Sequence, residues 1–266
     1  MQRRWIDLEG LANARDVGGI PTTDGGTIRS GRLLRSDNLQ TLTDDDVDRL
    51  LELGVTDVID LRSDFEVESE GPGPLARQGV VRIHQHSFFR EWREGIGEDK
   101  PDVRPEVLPE EALPWVDLTP SVDAGNVTTS HYLTYLTDRP DSVVAALREV
   151  AHAEGAALVH CAAGKDRTGT LVALALTLAG AEREEVVADY AATAERIEAI
   201  VARLLDTVTY GDNLRGRPIE THITYPENMR LFLDYVDEHH GGVEALLGRL
   251  GWTADDTARL RAKLRD

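Results

Sequence analysis

The stretch from residue 156 to residue 179 constrains the fold more than any other. Ala-Ala-Leu-Val-His at 156–160 is short and apolar, the pattern of a buried strand. Residues 168–179 are apolar on nearly every face, the pattern of a helix enclosed by other elements. Only Cys161 to Arg167 lie between them. A buried strand that turns so abruptly into a buried helix belongs in the middle of an α/β domain, since both elements need neighbours on more than one side.

The rest of the chain supplies those neighbours. Residues 27–34 and 80–83 read as short strands, and 55–61, rich in β-branched residues, as a buried one. Thr43 is the N-cap of a helix over 44–53 that Gly54 stops. Helices are predicted at 130–136 and at 142–153, where Val144, Leu147 and Val150 share a face. Residues 183–207 read as one amphipathic helix, 208–224 as a loop, and 226–238, 242–250 and 254–264 as closing helices. Pro101, Pro105, Pro109, Pro114 and Pro120 fall among acidic residues, which marks about 90–125 as an irregular insertion. There is no internal repeat and no low-complexity linker, so residues 1–266 are expected to form a single α/β domain with a helical C-terminal part.

A formal charge of −19 argues against nucleic acid as a partner and against an anionic membrane surface, because both need a basic face. Lysine occurs only at 100, 165 and 263, so a lysine inside a motif stands out. One cysteine excludes an intrachain disulfide, and the first residues lack the apolar run of a signal peptide. The longest nearly apolar segment, 171–179, is less than half of a bilayer span. The expectation is a soluble, cytoplasmic protein without integral membrane association.

The loop 160–169 reads His-Cys-Ala-Ala-Gly-Lys-Asp-Arg-Thr-Gly. Backbone amides of a tight loop at a helix N-terminus bind a dianion, and Ala162, Ala163 and Gly164 are small enough not to obstruct it. A lone cysteine is most often a small buried hydrophobe. Here Cys161 faces a helix dipole and a nearby guanidinium, which favour the thiolate and make it a nucleophile. Arg167 is placed to return across the loop and clamp two phosphoryl oxygens as charge builds on them. Thr168 is a candidate donor to the departing thiolate, and His160 is expected to stay neutral and order the loop. A Walker-type loop is excluded, since the Gly-Lys-Ser/Thr ending is missing.

His-Cys-x5-Arg resembles the signature of the cysteine-dependent protein tyrosine phosphatase superfamily. The full decapeptide is similar to its bacterial tyrosine/serine branch, of the protein tyrosine phosphatase B type. Asn13-Ala-Arg-Asp-Val-Gly-Gly19, Gly31-Arg-Leu-Leu-Arg-Ser-Asp37, Asp60-Leu-Arg-Ser63, Ala188-Asp-Tyr190 and the region of Gly241-Gly242 resemble that family in order and spacing. The resemblance implies a central, mostly parallel phosphatase-type sheet flanked by helices, with helices at about 195–225 able to form a lid. It implies hydrolysis of phosphate monoesters through a phosphocysteine, on phosphotyrosine first and also on phosphoserine, phosphothreonine or phosphoinositides. It calls for no cofactor and no metal.

One departure concerns the general acid. Many members of the superfamily supply an aspartate from a separate loop, whereas the segment after the 80–83 strand, His84-Gln-His-Ser-Phe-Phe, has none. Asp166, inside the loop, is then the leading candidate, with a loop-capping carboxylate as the alternative. Lys165 resembles the basic loop residue of lipid phosphatases, with a purely electrostatic contribution as the alternative. Asp60 and Arg62 read as a structural ion pair at a strand end, with pocket lining as the alternative. His84, His86, His239 and His240 have no carboxylate or thiolate at ligand spacing and make no persuasive metal site. Three rivals stand beside the protein phosphatase: a phosphoinositide-preferring lipid phosphatase, a non-hydrolytic phosphate-binding module, and a persulfide sulfur-transfer enzyme. The paired Cys161 and Arg167 argue against the last two.

Overall fold

The computed structural model describes residues 4–90 and 120–266, so most of the proline-rich insertion lies outside the described residues. Six strands form one sheet: β1 (Arg4–Trp5), β2 (Arg15–Asp16), β3 (Leu33–Ser36), β4 (Val55–Asp60), β5 (Arg82–Gln85) and β6 (Ala156–His160), in the order β1-β2-β3-β6-β4-β5. The pairs β3·β6, β6·β4 and β4·β5 are parallel, and the two-residue β1 and β2 extend one edge antiparallel. The sheet is thus mostly parallel where its strands are long. β6 sits in the middle and is buried at all five positions, as its apolar run requires.

Adjacent strand residues point to opposite faces, and the core divides accordingly. Leu33, Ile59 and Val159 pack on the side that holds α5 (Pro140–His152) and α6 (Asp166–Leu178). Leu34, Val58 and Leu158 pack on the other, against Val47 and Leu50 of α1 (Asp44–Glu52). Helix α6 buries eleven of its thirteen residues, in agreement with its all-round apolar sequence. The chain closes with α7 (Arg183–Ala192), α8 (Ile197–Leu205), α9 (Gly211–Leu214), α10 (Pro226–His240), α11 (Val243–Arg249) and α12 (Ala254–Leu264). Among the described residues no helix is long and apolar enough to cross a membrane.

Several sequence expectations are corrected here. The strand expected at 27–34 begins only at Leu33. Ile28 makes an isolated bridge to Arg265, and Gly31 turns the chain at φ +68° before the strand starts. The 80–83 strand shifts to 82–85. The helix expected over 183–207 breaks into α7, a 3-10 turn at Thr193–Arg196 and α8, and the break falls where Thr193 turns inward to accept bonds from Asn13 and Arg15. Two helices, α2 (Asp64–Glu70) and α3 (Pro74–Gln78), were not expected, although Ser63 and Glu66 form a capping box at the start of α2. The remaining helix, α4 (Val127–Asp138), starts at an Asn126 cap, ahead of the 130–136 expected. The 208–224 segment contains α9 and a 3-10 turn at Ile219–His222, and the helix after the loop begins at Asp166.

Candidate active site

Parallel register aligns the C-terminal ends of the three central strands, pairing His160 with Ser36 on one side and with Asp60 on the other. In such sheets the crevice beyond the strand ends is where ligands bind, and Cys161 is the first residue past β6. Cys161 is a free thiol, 2 % exposed.

The loop after it is shaped from outside. The carbonyl of Ala162 accepts from the Asn38 amide at 2.9 Å, that of Ala163 from Asn13 Nδ2 at 2.9 Å, and that of Gly164 from Arg35 at 2.7 Å. In a planar trans peptide the N–H points opposite to the C=O. With three consecutive carbonyls held outward, the amides of Ala163, Gly164 and Lys165 turn inward. The unsatisfied amides of the first turn of α6 follow directly. Gly164 has φ +64°, and a Cβ there would lie 2.3 Å from the Ser36 carbonyl oxygen. Its smallness therefore serves the packing behind the loop and not the ligand access expected of it.

The residues that grip the loop are themselves fixed by buried charge. Arg15 and Arg35 share the carboxylate of Asp189, at 2.8 and 2.5 Å. Burial opposes ionisation of Asp189, but the two guanidiniums prevail and bring its pKa to about 2. Arg15 also donates to Asn13 Oδ1 at 2.6 Å, which aims the Asn13 amide at the loop. Asp37 accepts the backbone amides of Ala12 and Asn13.

Asp60 and Arg62 do form an ion pair, at 2.6 Å, and Arg62 donates onward to Asn38, which holds the Ala162 carbonyl through its own backbone amide. Neither residue lines the cavity described below. Burial works against ionisation of Asp60, and the charges of protonated His160 and of Arg62 bring its pKa to about 2. Burial, with Arg62 and Arg167 nearby, lowers the pKa of His160 to about 4 against the pull of Asp60. At neutral pH the ring is therefore uncharged, and Arg62 alone supplies the countercharge.

Arg167 is buried, 3 % exposed, and its two terminal nitrogens meet the Glu66 carboxylate at 2.6 and 2.9 Å. One of them also donates to the Leu61 carbonyl, and the guanidinium lies over the Phe89 ring at 4.8 Å. Burial opposes the charge on Glu66, but Arg167 outweighs it and keeps the carboxyl below its usual range. Asp166 accepts from the Tyr132 hydroxyl at 2.7 Å, and Tyr132 in turn shares a 2.7 Å bond with Tyr190. Burial and the Asp166 carboxylate push the Tyr132 phenol well above its ordinary value, so it stays a donor. Lys165 Nζ donates to the His222 carbonyl at 3.1 Å and stands 3.5 Å from Asp166. Thr168 is fully buried, and its hydroxyl is among the polar atoms with no partner in the described residues.

A cavity of about 370 Å³ opens over this loop. Cys161, Ala162, Ala163, Lys165, Asp166 and Arg167 line it, whereas Gly164, Thr168 and His160 do not. Ile197, Ile200, Val201 and Leu204 of α8 supply apolar wall, as do Phe89, Tyr132 and Tyr135, and Val127, Thr128, His131, Leu214, Arg217, Thr221 and His222 complete the lining. Residues 195–225 thus contribute directly to the cavity. Glu66, Asn13, Arg35, Asp189 and Tyr132 were not among the site residues expected, although segments containing four of the five had been set apart as family-like or helical. Asp57 and Glu149 reach His84 at 2.9 and 3.3 Å, contacts that spacing along the chain conceals. Among the described residues no group of three or more His, Cys, Asp and Glu side chains is arranged to hold a metal.

Residues 6–266 match the model of the tyrosine phosphatase family. The triple specificity protein phosphatase PtpB of Mycobacterium tuberculosis is 32 % identical over 213 residues, covering 76 % of this chain and 74 % of that one. A tyrosine-protein phosphatase of Nostoc commune is 28 % identical over 251 residues, covering 89 % and 75 %. The solved structure of Pseudomonas aeruginosa TpbA in complex with pTyr aligns at 16 % identity with a TM-score of 0.37, covering 88 % of this chain and 96 % of that one. The family match runs from before β2 through the cysteine loop to the last residue, and the chain belongs to the tyrosine phosphatase family, as a cysteine-dependent phosphatase.

Proposed function

We propose that Cys161 attacks the phosphorus of a phosphotyrosyl substrate, that the P–O bond to the leaving oxygen breaks, and that water then hydrolyses the phosphocysteine to free phosphate. The observation that carries this reading is the outward pull on the carbonyls of Ala162, Ala163 and Gly164, which turns the loop amides toward the cavity beside Cys161. Those amides and Arg167 hold the phosphoryl oxygens, and they gain strength as charge builds in the transition state. Asp166 lines the cavity and is the proton donor to the leaving oxygen, then the base for the attacking water. Thr168, with its unpartnered buried hydroxyl, assists departure of the thiolate. His160 stays neutral and supports the loop, and Lys165 favours more highly charged substrates. The aromatic and aliphatic walls suit an aryl phosphate, with phosphoserine, phosphothreonine and phosphoinositides as further substrates, the breadth that the name of the mycobacterial relative records for that protein. Helices and turns of 195–225 cover the site. A reduced cysteine as nucleophile fits a cytoplasmic location.

Cys161→Ser tests the mechanism, because a serine hydroxyl in the same loop is not ionised at neutral pH. Turnover of p-nitrophenyl phosphate should vanish while phosphate still binds, and acid-quenched wild-type enzyme should carry one phosphoryl group on Cys161. Retention of ordinary turnover by the serine variant would exclude the phosphocysteine.

A further inference from the structure

The chain carries 48 acidic against 29 basic side chains, and the arginines around the site are engaged with carboxylates: Arg62 with Asp60, Arg167 with Glu66, Arg203 with Asp37 and Arg215 with Asp212. Arg217 differs. It is exposed at the rim of the catalytic cavity, and among the described residues its guanidinium has neither a side-chain hydrogen bond nor an ion pair. His222 lines the same cavity, and its Nε2 is buried without a partner. Lys165 joins them by donating to the His222 carbonyl, which leaves two of its three N–H groups for other acceptors. His222 feels both neighbours: burial first, then Lys165 and Arg217, lower its pKa. The carboxylate beside them, Asp166, also accepts from Tyr132. Arg217, without a side-chain partner among the described residues, and Lys165, which shares its neighbouring carboxylate Asp166 with Tyr132, leave positive charge in excess on this cavity wall, an arrangement for an anion brought by the ligand.

We propose that Arg217, Lys165 and His222 form a second anion subsite, and that the substrate it serves is a phosphotyrosyl peptide with a further anionic side chain, a phosphoserine, phosphothreonine or carboxylate, near the phosphotyrosine. This rests on the reading of the cavity as the phosphatase site. The walls decide for a peptide. Ile197, Ile200, Val201 and Leu204 with Phe89, Tyr132 and Tyr135 accept an aryl ring, whereas an inositol ring bears a polar group on every carbon and would lose hydrogen bonds against them. The subsite bridges the loop, through Lys165, and the segment after α9, through Arg217 and His222. It therefore reads a group carried alongside the scissile ester. On a chain of this net charge an acidic peptide is repelled elsewhere, so a local basic pair discriminates by position as well as by charge.

The test compares two phosphotyrosyl peptides of one sequence, one with neutral flanks and one with a phosphoserine two residues away. For the wild type, kcat/KM should favour the doubly charged peptide by about tenfold, carried by KM and shrinking at high salt. Arg217→Gln should bring that ratio close to one, and Arg217→Lys should keep most of it. Binding of both peptides to Cys161→Ser reads the subsite without turnover. If the wild type hydrolyses neither peptide while the serine variant still binds the doubly charged one more tightly, the phosphatase reading fails and the subsite stands. Equal kcat/KM in the wild type with equal affinities on Cys161→Ser overturns the subsite, and so does a preference that survives Arg217→Gln. A gain dependent on Arg217 that is confined to inositol bisphosphate over monophosphate overturns the assignment to peptides.

Discussion

Glu66 holds both terminal nitrogens of Arg167, at 2.6 and 2.9 Å, with neither side chain more than 4 % exposed. The pair explains how a guanidinium is kept charged in a buried site before any phosphate arrives: Glu66 supplies the countercharge to the cation that the dianion will meet. It also fixes the plane of the fork, which bidentate recognition requires.

Glu66→Gln keeps the shape and removes the charge, leaving Arg167 buried beside neutral acceptors, the amide oxygen and the Leu61 carbonyl. Breaking a buried pair in this way typically costs about 3–5 kcal/mol, and chemical denaturation should show a loss of that order. Inorganic phosphate should restore stability in the variant more than it does in the wild type, since a bound dianion replaces the missing countercharge. An equal phosphate-induced rise in Tm for both proteins would show that Glu66 does not act through Arg167.

Gly164→Ala should disrupt the loop from behind. The residue sits at φ +64°, and a methyl group would meet the Ser36 carbonyl at 2.3 Å, so backbone strain and collision act together. The expected destabilisation is about 2 kcal/mol or more, with phosphate affinity lost as the loop shifts. Ala162→Gly, in a residue that lines the cavity, should leave stability within about 1 kcal/mol of the wild type. Similar stability for both variants, measured in urea, would argue that the close approach to Ser36 relaxes without cost.

His160 supplies a pH signature. Its proton binds near the ordinary 6.5 in the unfolded chain and only near 4 in the folded one. Between those values the unfolded state holds the extra proton, so stability falls as the pH is lowered from 6.5 toward 4, by up to about 1.4 kcal/mol per pH unit. His86, His131, His222 and His240 are depressed in the same direction, each by burial first, and add to the slope. The difference between the wild type and His160→Asn isolates one residue. Unfolding free energies at pH 7, 6, 5 and 4.5 should give a flatter profile for the variant, and parallel profiles would mean that His160 binds its proton equally well in the folded and unfolded chain.

How far the sequence discloses this site depends on the distance over which each relation acts. The strand, loop and helix around Cys161 are encoded by local pattern, and the ion pair of Asp60 with Arg62 spans two residues, so both are legible. Asn13, Arg35 and Asp189 meet the loop across more than a hundred residues or meet one another across comparable gaps. Their segments resemble the family, but nothing along the chain says what each side chain grips. Glu66 did leave a local trace, the Ser63-x-x-Glu66 capping box, which points to a helix start without revealing that the same carboxylate turns to Arg167. The break between α7 and α8 is hidden for the same reason. Amphipathic spacing continues through it, and only the buried bonds of Thr193 to Asn13 and Arg15 mark the corner.

The bond from Tyr132 to Asp166 gives the assignment of the proton donor a graded test. A carboxyl that protonates the leaving oxygen matters most when that oxygen is a poor leaving group, and positioned acid catalysis is typically worth about a hundredfold to ten-thousandfold. Asp166→Asn should therefore depress kcat/KM severely for alkyl phosphates and phosphoserine peptides and only mildly for p-nitrophenyl phosphate. Across aryl phosphates of increasing leaving-group pKa, the dependence on that pKa should steepen. Tyr132→Phe leaves the acid in place but removes the 2.7 Å bond that aims it, so the same steepening should appear in weaker form, about tenfold at the poor end of the series. Tyr190→Phe, one bond further from Asp166, should fall between Tyr132→Phe and the wild type. A uniform drop for every substrate in Asp166→Asn would mean that the carboxylate only shapes the loop, and the ordering of the two tyrosine variants would then carry no leaving-group dependence at all.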